Sequence, residues 1–292
     1  MMILAFRVIT ILFVIFYGAF LFRDVIKNGP KNESMLNKVL YGIMGFVLNI
    51  LDTLGVGSNA TQAAFFKFTK LSPDDELPGN GNVIFAIPVA VEFLLFLDIV
   101  EVEPITLITM IAASVLGAVV GAKIVCKLPI NAIRGVLAVT LPFVAVVLVV
   151  KINGIGPFGI MGDATGLTGA KLIIGILVNF VLGALMTCGV GLYAPCMALC
   201  ALLGMNLTVA FPIMMGSCAF LMPPASVEFI RNGRYNRGAA MIASITGVIG
   251  VFVAYYIVKS MPITALTYIV ALVLIYMSAS FIITLMKEKK NA

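Results

Sequence analysis

Two short segments place glycines and polar side chains inside otherwise apolar sequence. The first reads Gly55-Val56-Gly57-Ser58-Asn59-Ala60-Thr61-Gln62, and the second reads Gly189-Val190-Gly191-Leu192-Tyr193-Ala194-Pro195-Cys196. Each interrupts an apolar run that then restarts. A helix that restarts after such a break directs unpaired N–H groups and the positive end of its dipole at whatever lies in front of it. The two breaks therefore predict a binding site for an oxyanion that needs no basic side chain.

Side chains beside the breaks are expected to complete this site. The first break supplies hydroxyl and amide donors, and the second supplies a phenol and a thiol. The predicted substrate-binding residues are Gly55, Gly57, Ser58, Asn59, Thr61, Gln62, Gly189, Gly191, Tyr193 and Cys196. The alternative is that the glycines only allow helices to pack closely, as in Gly117-x-x-x-Gly121. For the cysteine, the alternative is a buried thiol that behaves as a small apolar side chain.

Two carboxylates lie inside apolar segments, where a charge is costly and commonly serves a function. Asp52 comes just before the first break, and Glu92 follows in the next apolar run. We predict that Asp52 and Glu92 carry a coupling proton. The alternatives for Asp52 are that it balances the helix dipole or that it is a helix-end residue at the membrane interface. Glu228, three residues before Arg231, is expected to reach the interface.

The composition excludes several other kinds of site. The chain has 5 cysteines and no histidine, and no two cysteines form a Cys-x-x-Cys pair, so we expect neither a zinc site nor a disulfide framework. Histidine-based proton relays and Ser-His-Asp catalysis are excluded. A membrane enzyme with Cys188 or Cys196 as nucleophile stays an alternative, although the thiol lacks its commonest activating base. We therefore expect no enzymatic activity, no metal and no cofactor.

The elements that must hold these residues are membrane-spanning helices. Of the 292 residues, 62% are hydrophobic and 11% are charged, whereas soluble domains carry about 25% charged residues. Apolar runs such as 2–22, 105–122, 133–150, 239–258 and 263–286 approach the ~20 residues that cross a bilayer. The predicted fold class is an all-α polytopic membrane protein. The net charge of +6 comes from residues between these runs, which favours a topological role over nucleic-acid binding.

Similarity between the two halves indicates an internal duplication. Besides the breaks, Pro88-Val-Ala-Val-Glu92-Phe93 recurs as Pro224-Ala-Ser-Val-Glu228-Phe229, and Val115-Leu-Gly117 recurs as Val248-Ile-Gly250, at nearly the same offset. The loop after the first Glu-Phe pair is acidic and the loop after the second is basic, so the positive-inside rule predicts inverted halves. Paired Gly-interrupted segments in inverted halves are typical of a transporter's substrate site.

The chain divides into four predicted parts. Residues 1–38 form one extra N-terminal transmembrane helix and a basic cytoplasmic loop, and residues 39–152 form the first transmembrane repeat. Residues 153–170 form a flexible Gly-rich linker, and residues 171–292 form the second repeat with a basic C-terminal tail. The basic loops predict that the N-terminus lies outside and the C-terminus in the cytoplasm. The apolar pieces around the breaks are short, so either short spans or re-entrant half-helices agree with the sequence.

The breaks, the duplication and one further segment resemble a known family. That segment is Gly117-Ala-Val-Val-Gly121-Ala-Lys-Ile…Lys127-Leu-Pro129…Ile133-Arg134. The family is the TauE/SafE-type sulfite exporters, also called the toluene sulfonate uptake permeases, and the resemblance covers residues 42–285. It implies a carrier for sulfite, organosulfonates or related sulfur anions in the cytoplasmic membrane.

The predicted function is therefore a multi-pass secondary transporter of small sulfur-containing anions, such as sulfite, thiosulfate or an organosulfonate. It is expected to work by alternating access in the cell membrane with proton coupling. Its expected partners are the anionic substrate and the lipid bilayer, with no nucleic acid, and a homodimer is left open. The alternatives are an anion or small-solute channel and a carrier for carboxylates or other small anions. A channel predicts flux that is insensitive to pH and to neutralisation of Asp52 or Glu92.

Overall fold

The computed structural model describes residues 2–29, 33–124, 130–153, 162–186 and 190–291. Seven helical segments among these residues are long and apolar enough to cross a membrane, which confirms the predicted all-α polytopic membrane class. The described α-helices are α1 (Met2–Asn28), α2 (Met35–Thr53), α3 (Ser58–Thr69), α4 (Leu77–Val83), α5 (Ala86–Ile99), α6 (Pro104–Ile124), α7 (Ile130–Ile152), α8 (Gly169–Met186), α9 (Tyr193–Leu202), α10 (Ala210–Arg231), α11 (Arg237–Ser260) and α12 (Ile263–Asn291).

These helices belong to two compact units that each combine both predicted repeats. The first unit comprises Met1–Thr53, Gly57–Ile99 and Met215–Ile257. It therefore joins α1 to α5 with most of α10 and α11 from the second half of the chain.

The second unit comprises Leu54–Val56, Val100–Met214 and Val258–Ala292. It joins α6 and α7 from the first half with α8, α9, the start of α10 and α12. Within each unit, helices that are far apart in sequence pack against one another.

The predicted extra N-terminal helix is α1. Its Tyr17 hydroxyl donates a hydrogen bond to the carbonyl oxygen of Val83 at 3.0 Å, and Arg7 forms an ion pair with Asp98 at the end of α5. Large apolar side chains on the rest of its surface are exposed, including Phe16 at 70%. An exposed apolar surface on a helix of this length is the surface expected to contact lipid.

In the first unit, α2 and α11 approach so closely that their backbones touch. A Cβ atom at Gly45 would collide with the backbone of Ala243, and one at Gly250 would collide with the carbonyl oxygen of Phe46. Small residues at such positions allow van der Waals contact between membrane helices, where no hydrophobic effect drives association.

In the second unit, α6 and α8 make the corresponding approach. A Cβ atom at Gly117 would collide with the carbonyl oxygen of Phe180, and one at Gly183 would collide with that of Ser114. Phe46 and Phe180 are separated by the same offset as the two glycine breaks, and Gly117 and Gly250 by nearly the same one. These contacts support the predicted duplication, whereas the inverted orientation of the two halves stays a prediction.

Predicted cytoplasmic segments meet at one end of the first unit. Asp24, near the end of α1, accepts a hydrogen bond from Arg237 Nε at 2.8 Å. Asn236 Nδ2, in the loop before α11, donates to the Tyr41 hydroxyl of α2 at 3.0 Å and to the carbonyl oxygen of Leu71 at 3.2 Å. The end of α1, the first half of α2 and the segment after α3 therefore lie together.

Because the segment after α3 returns to α2, these two helices form a re-entrant hairpin. The 19 residues of α2 rise about 28 Å, and the 12 residues of α3 rise only about 18 Å. The rings of Tyr41 and Phe66 lie 6.4 Å apart across the hairpin. Of the two alternatives that the sequence leaves open, α3 is a re-entrant half-helix and not a short span.

A second hairpin is formed by α8 and α9 in the second unit. The Lys171 ammonium group, at the start of α8, donates to the carbonyl oxygen of Leu203 just after α9 at 3.0 Å. The 10 residues of α9 rise only about 15 Å. Gly57 and Gly191 therefore each lie at the tip of a hairpin made of one long and one short helix.

The described end of the predicted linker is held by hydrogen bonds in the second unit. The Glu103 backbone N–H donates to the carbonyl oxygen of Thr165 at 2.9 Å, and the Leu167 N–H donates to the Thr106 hydroxyl at 2.8 Å. The Glu103 carboxylate accepts from the Thr106 N–H at 2.6 Å and from the Ile105 N–H at 3.1 Å. Glu103 therefore caps α6 and anchors the linker, while residues 154–161 lie outside the described residues.

Glu103 makes the stability of this cap depend on pH. Burial opposes its charge, but hydrogen bonds from Thr106 and Ile105 outweigh that effect and lower the pKa of the carboxyl group below its ordinary value. A carboxylate with a lowered pKa stabilises the folded state above its ordinary pKa, and the contribution is lost as the pH falls through the lowered value.

We therefore expect Glu103→Gln to lower the melting temperature of the detergent-solubilised protein at neutral pH. The difference from wild type should shrink below about pH 4, where Glu103 takes up a proton. Glu101→Gln, at an exposed position two residues earlier, is the matched control and should change little. A difference for Glu103→Gln that stays constant down to pH 3 would contradict this account.

Candidate functional site

The first break turns the chain between α2 and α3 through two glycines in the left-handed region, with φ of 97° at Gly55 and 82° at Gly57. Glycine adopts this region without a steric penalty. A Cβ atom at Gly55 would lie 2.7 Å from Cε of Met197, whereas one at Gly57 would meet nothing within 4 Å. The break is therefore tightly packed at Gly55 and leaves space in front of Gly57.

Asp52 lies beside the start of the helix that follows this break. It belongs to the last turn of α2, is 1% exposed and has Ser58, the first residue of α3, as its polar neighbour. Its Oδ2 atom has no hydrogen-bond partner among the described residues, and the N-cap residue Gly57 supplies no side-chain cap to α3. Negative charge is favourable at a helix N-terminus. The helix end that the sequence predicts to face an anion thus has a carboxylate of the chain itself as its neighbour.

The other polar residues of α3 make different contacts. The Thr61 hydroxyl donates back to the carbonyl oxygen of Ser58 at 3.0 Å. Gln62 Nε2 donates to the carbonyl oxygen of Leu77 at 3.0 Å, and Asn59 Oδ1 lies against a glycine of α4. Of the four polar side chains predicted to bind substrate at this break, only that of Ser58 contacts α2 across the break, while Asn59 and Gln62 contact α4.

The start of α9 is the second predicted binding element. Gly189 lies outside the described residues. Tyr193 is 4% exposed and Cys196 is 0% exposed, and the Cys196 N–H donates to the carbonyl oxygen of Leu192 at 3.0 Å. A Cβ atom at Gly191 would meet only Cε of a methionine at 3.6 Å. This helix start is therefore formed by buried residues, with room for a small side chain at Gly191.

The thiols of α9 contact each other. Cys196 and Cys200 are both fully buried free cysteines, one helical turn apart on α9, and their side chains are neighbours. Cys188 lies outside the described residues. Whether Cys196 binds substrate or acts as a small apolar side chain stays a prediction.

Gly55 packs against α9 and α10 within the second unit. It belongs to this unit through the short segment Leu54–Val56, and a Cβ atom on it would lie 2.7 Å from Cε of Met197 in α9 and 3.9 Å from Cε of Met214 in α10. This close packing holds Gly55 in place.

Glu92 of α5 contacts Thr53 of α2 in the first unit. The Thr53 hydroxyl oxygen lies 2.8 Å from Glu92 Oε1 and 2.7 Å from the carbonyl oxygen of Asn49. A hydroxyl group has one hydrogen, so the Thr53 hydroxyl shares its hydrogen between these two acceptor oxygens. Asn49 is 0% exposed, and its Oδ1 has no hydrogen-bond partner among the described residues.

Sequence reasoning missed Asn49 and Thr53 as members of this cluster. Both are polar residues in the apolar run before the first break, and they lie one helical turn apart, next to Asp52. That spacing puts all three on neighbouring positions of one helix surface. A search for polar residues at helical spacing around Asp52 would have found them.

Asp52 and Glu92 are the charged residues in the described central parts of the first unit's helices, and they are 1% and 0% exposed. The basic residues of these helices stand toward the helix ends, at Arg7, Arg23, Lys27, Lys38, Lys67, Arg231 and Arg237. A buried carboxylate is costly unless it is hydrogen-bonded, paired with a cation or protonated.

Comparison with known proteins adds no relative from which to transfer a function. No protein-family profile, no curated protein and no solved structure matches this chain. The functional interpretation therefore rests on the residues and contacts described above.

The break geometry gives a stability prediction with an internal control. Gly55→Ala should lower the free energy of unfolding by about 1–2 kcal/mol, because a Cβ atom is disfavoured at positive φ, and Met197 must also move. Gly191→Ala should leave it near the wild-type value, since a Cβ atom there makes only an ordinary contact. Chemical or thermal unfolding in detergent measures both, and equal effects of the two substitutions would contradict the described geometry.

Proposed function

We propose that this protein is a secondary transporter of small sulfur-containing anions, such as sulfite, thiosulfate or an organosulfonate, and that it works by alternating access. The observation that carries the proposal is the uncapped start of α3. The N-cap residue Gly57 supplies no side-chain cap, and an added Cβ atom at Gly57 would meet no atom within 4 Å. Helix N-termini bind such anions through backbone N–H groups and the helix dipole.

The hairpins support a transport function over a purely structural one. Irregular backbone at membrane depth persists only where protein or a water-filled cavity satisfies its polar groups. Here both short helices begin at a break, and an added Cβ meets no atom within 4 Å at Gly57 and only one, at 3.6 Å, at Gly191. Paired broken helices in two related halves are the usual construction of a transporter's substrate site.

The sulfur chemistry of the substrate comes from the resemblance to the TauE/SafE-type family. That resemblance rests on the two Gly-x-Gly breaks and on the segment that begins at Gly117. A carrier of carboxylates or of other small anions would use the same helix N-termini, so a panel of anions is part of the test.

Ion gradients are the proposed energy source, with Asp52 and Glu92 as the groups that carry the coupled proton. The sequence contains no Gly-rich phosphate loop with a Gly-Lys-Ser/Thr ending that would bind a nucleotide. Both carboxylates are buried in the first unit, and buried carboxylates within membrane segments commonly carry protons in transporters.

We propose the cell membrane as the location, with the N-terminus outside and the C-terminus in the cytoplasm. Basic segments near Arg23 and Arg237 meet at one end of the first unit. In the second unit, Arg134 at the start of α7 pairs with Glu288 near the end of α12 at 2.8 Å. Segments that the positive-inside rule assigns to the same side are thus neighbours within each unit.

Proteoliposomes give the direct test. Uptake of radiolabelled sulfite and thiosulfate, and of a sulfonate and a carboxylate for comparison, is measured with and without an inwardly directed proton gradient. We expect saturable uptake that the gradient stimulates and that unlabelled anion on the opposite side accelerates by exchange. Flux without saturation or exchange would identify a channel, and no flux of any anion in folded protein would overturn the proposal.

Gly57→Val tests whether the space at the first break is the substrate site. A branched side chain there would fill the open volume in front of α3, so we expect anion uptake to fall at least tenfold. Gly29→Val is the matched control, because Gly29 also has positive φ, at 66°, and also faces open space, but it lies after α1. Similar loss of uptake in both variants would show that backbone strain, and not site occupancy, explains the effect.

A further inference from the structure

A cavity of about 510 Å³ lies at the end of α3 in the first unit. Its volume is within the range of ordinary ligand pockets. Its walls combine apolar side chains with two ammonium groups. The lining residues are Phe66, Lys67, Lys70, Leu71, Ser72 and Pro73. None of them belongs to a glycine break or to the buried carboxylates, so this cavity is distinct from the proposed transport site.

Hydrogen bonds hold the walls of this cavity in place. The carbonyl oxygen of Leu71 accepts from Asn236 Nδ2 at 3.2 Å. The Ser72 hydroxyl donates to Glu76 Oε2 at 2.6 Å and accepts from Asn80 Nδ2 at 2.9 Å. Because Ser72 is already bonded in both directions, the polar groups left for a ligand are the ammonium groups of the two lysines. A preformed wall lowers the cost of binding.

The depth of the cavity is set by the hairpin of α2 and α3. The Phe66 ring lies 6.4 Å from that of Tyr41, and Tyr41 is about 9 Å along the axis from the start of α2. Large apolar side chains are exposed in this part of α2, at Met35 and Leu36, and Lys38 is exposed beside them. Apolar and basic side chains exposed together are typical of the membrane interface. The cavity therefore lies where lipid headgroups meet acyl chains.

The two lysines of the cavity have no counter-charge among the described side chains. Both are exposed, and neither forms an ion pair, in contrast to the arginines described above. On the turn of α3 between them, the Phe68 ring is 91% exposed. Two ammonium groups beside an exposed apolar ring match a ligand that has both a negative headgroup and an apolar chain.

The backbone at Lys70 is unusual. Its φ of 57° makes it the one non-glycine residue with positive φ among the described residues, and its N–H closes α3 by donating to the carbonyl oxygen of Phe66 at 2.8 Å. Glycine or asparagine is the usual residue at such a helix end. The lysine has the less favourable backbone here, but it contributes an ammonium group to the cavity.

We propose that this cavity binds the headgroup of an anionic phospholipid. The lipid phosphate pairs with Lys67 and Lys70, and the acyl chains lie along Phe68. Other exposed basic residues at this end, such as Arg23 and Arg231, raise the local concentration of anionic lipid. The site goes beyond the proposed function and does not depend on which anion is transported.

Native mass spectrometry of the purified full-length protein measures lipid binding directly. The protein in detergent is titrated with dioleoyl phosphatidylglycerol or with dioleoyl phosphatidylcholine, which has the same acyl chains but no net charge. We expect one phosphatidylglycerol molecule to bind about tenfold or more tightly than phosphatidylcholine. Its binding should also raise the melting temperature. Equal binding of the two lipids would overturn the proposal.

Removal of both ammonium groups tests whether the cavity is the site. Lys67→Gln with Lys70→Gln should weaken phosphatidylglycerol binding about 25-fold, because each cation near a membrane surface contributes about fivefold. Lys27→Gln with Lys38→Gln is the matched control, since it removes the same charge from exposed residues at the same end of the unit. It should change the binding little. Equal losses in the two double variants would assign the effect to diffuse charge and would overturn the cavity as the site.

Lys70→Gly separates lipid binding from a structural role of the same residue. Glycine accepts positive φ without strain, so this variant should melt at a higher temperature than wild type when no lipid is added. Its further rise with phosphatidylglycerol should be smaller than that of wild type. A rise as large as in wild type would show that the Lys70 ammonium group does not contact the lipid.

Soluble phosphates distinguish a lipid from a free anion. Inorganic phosphate and glycerol 3-phosphate at millimolar concentration should leave the melting temperature unchanged, because they lack acyl chains. A rise equal to that with phosphatidylglycerol would identify a soluble phosphate as the ligand and overturn the lipid assignment. No response to phosphatidylglycerol, in protein with a normal melting transition, would overturn the site and leave the proposed transport function standing.

Discussion

The break in the backbone between α2 and α3 is the constraint on which the rest of the first unit's site depends. A chain that breaks inside a membrane exposes N–H groups that no water can satisfy. Gly57 cannot cap α3 because it has no side chain, so these groups depend on what lies in front of the helix. The same turn places Asp52 beside Ser58, and Thr53, the next residue, lies within reach of Glu92.

Much of this arrangement could be predicted from the sequence because it is local. The restart of helix at Ser58 and at Tyr193 follows from the change from glycines to helix-forming residues, and both helices begin there. Asp52 stands out as a carboxylate in an apolar run. That it reaches Ser58 depends on two positive φ angles at Gly55 and Gly57, which the residue types permit but do not require.

The directions of the polar side chains of α3 could not be predicted in the same way. Asn59 and Gln62 follow Ser58 on the same short helix, so the sequence alone predicts all three as site residues. In the structure, Gln62 donates to the carbonyl oxygen of Leu77 in α4, and Asn59 lies against a glycine of α4. The pairing of α2 with α11 also could not be predicted locally. A glycine such as Gly45 indicates that another helix packs closely, but not which helix it is.

The exchange of helices between the two halves has a consequence for how the protein is made. The first half of the chain emerges before α11, against which Gly45 and the carbonyl oxygen of Phe46 pack. Until the ribosome has produced α11, the α2–α3 hairpin lies in the membrane without this partner. Co-translational insertion can therefore place the early helices, but the first unit closes only after α11 has been made. A chain cut short after the first repeat would present an unpaired surface to the membrane's quality-control proteases.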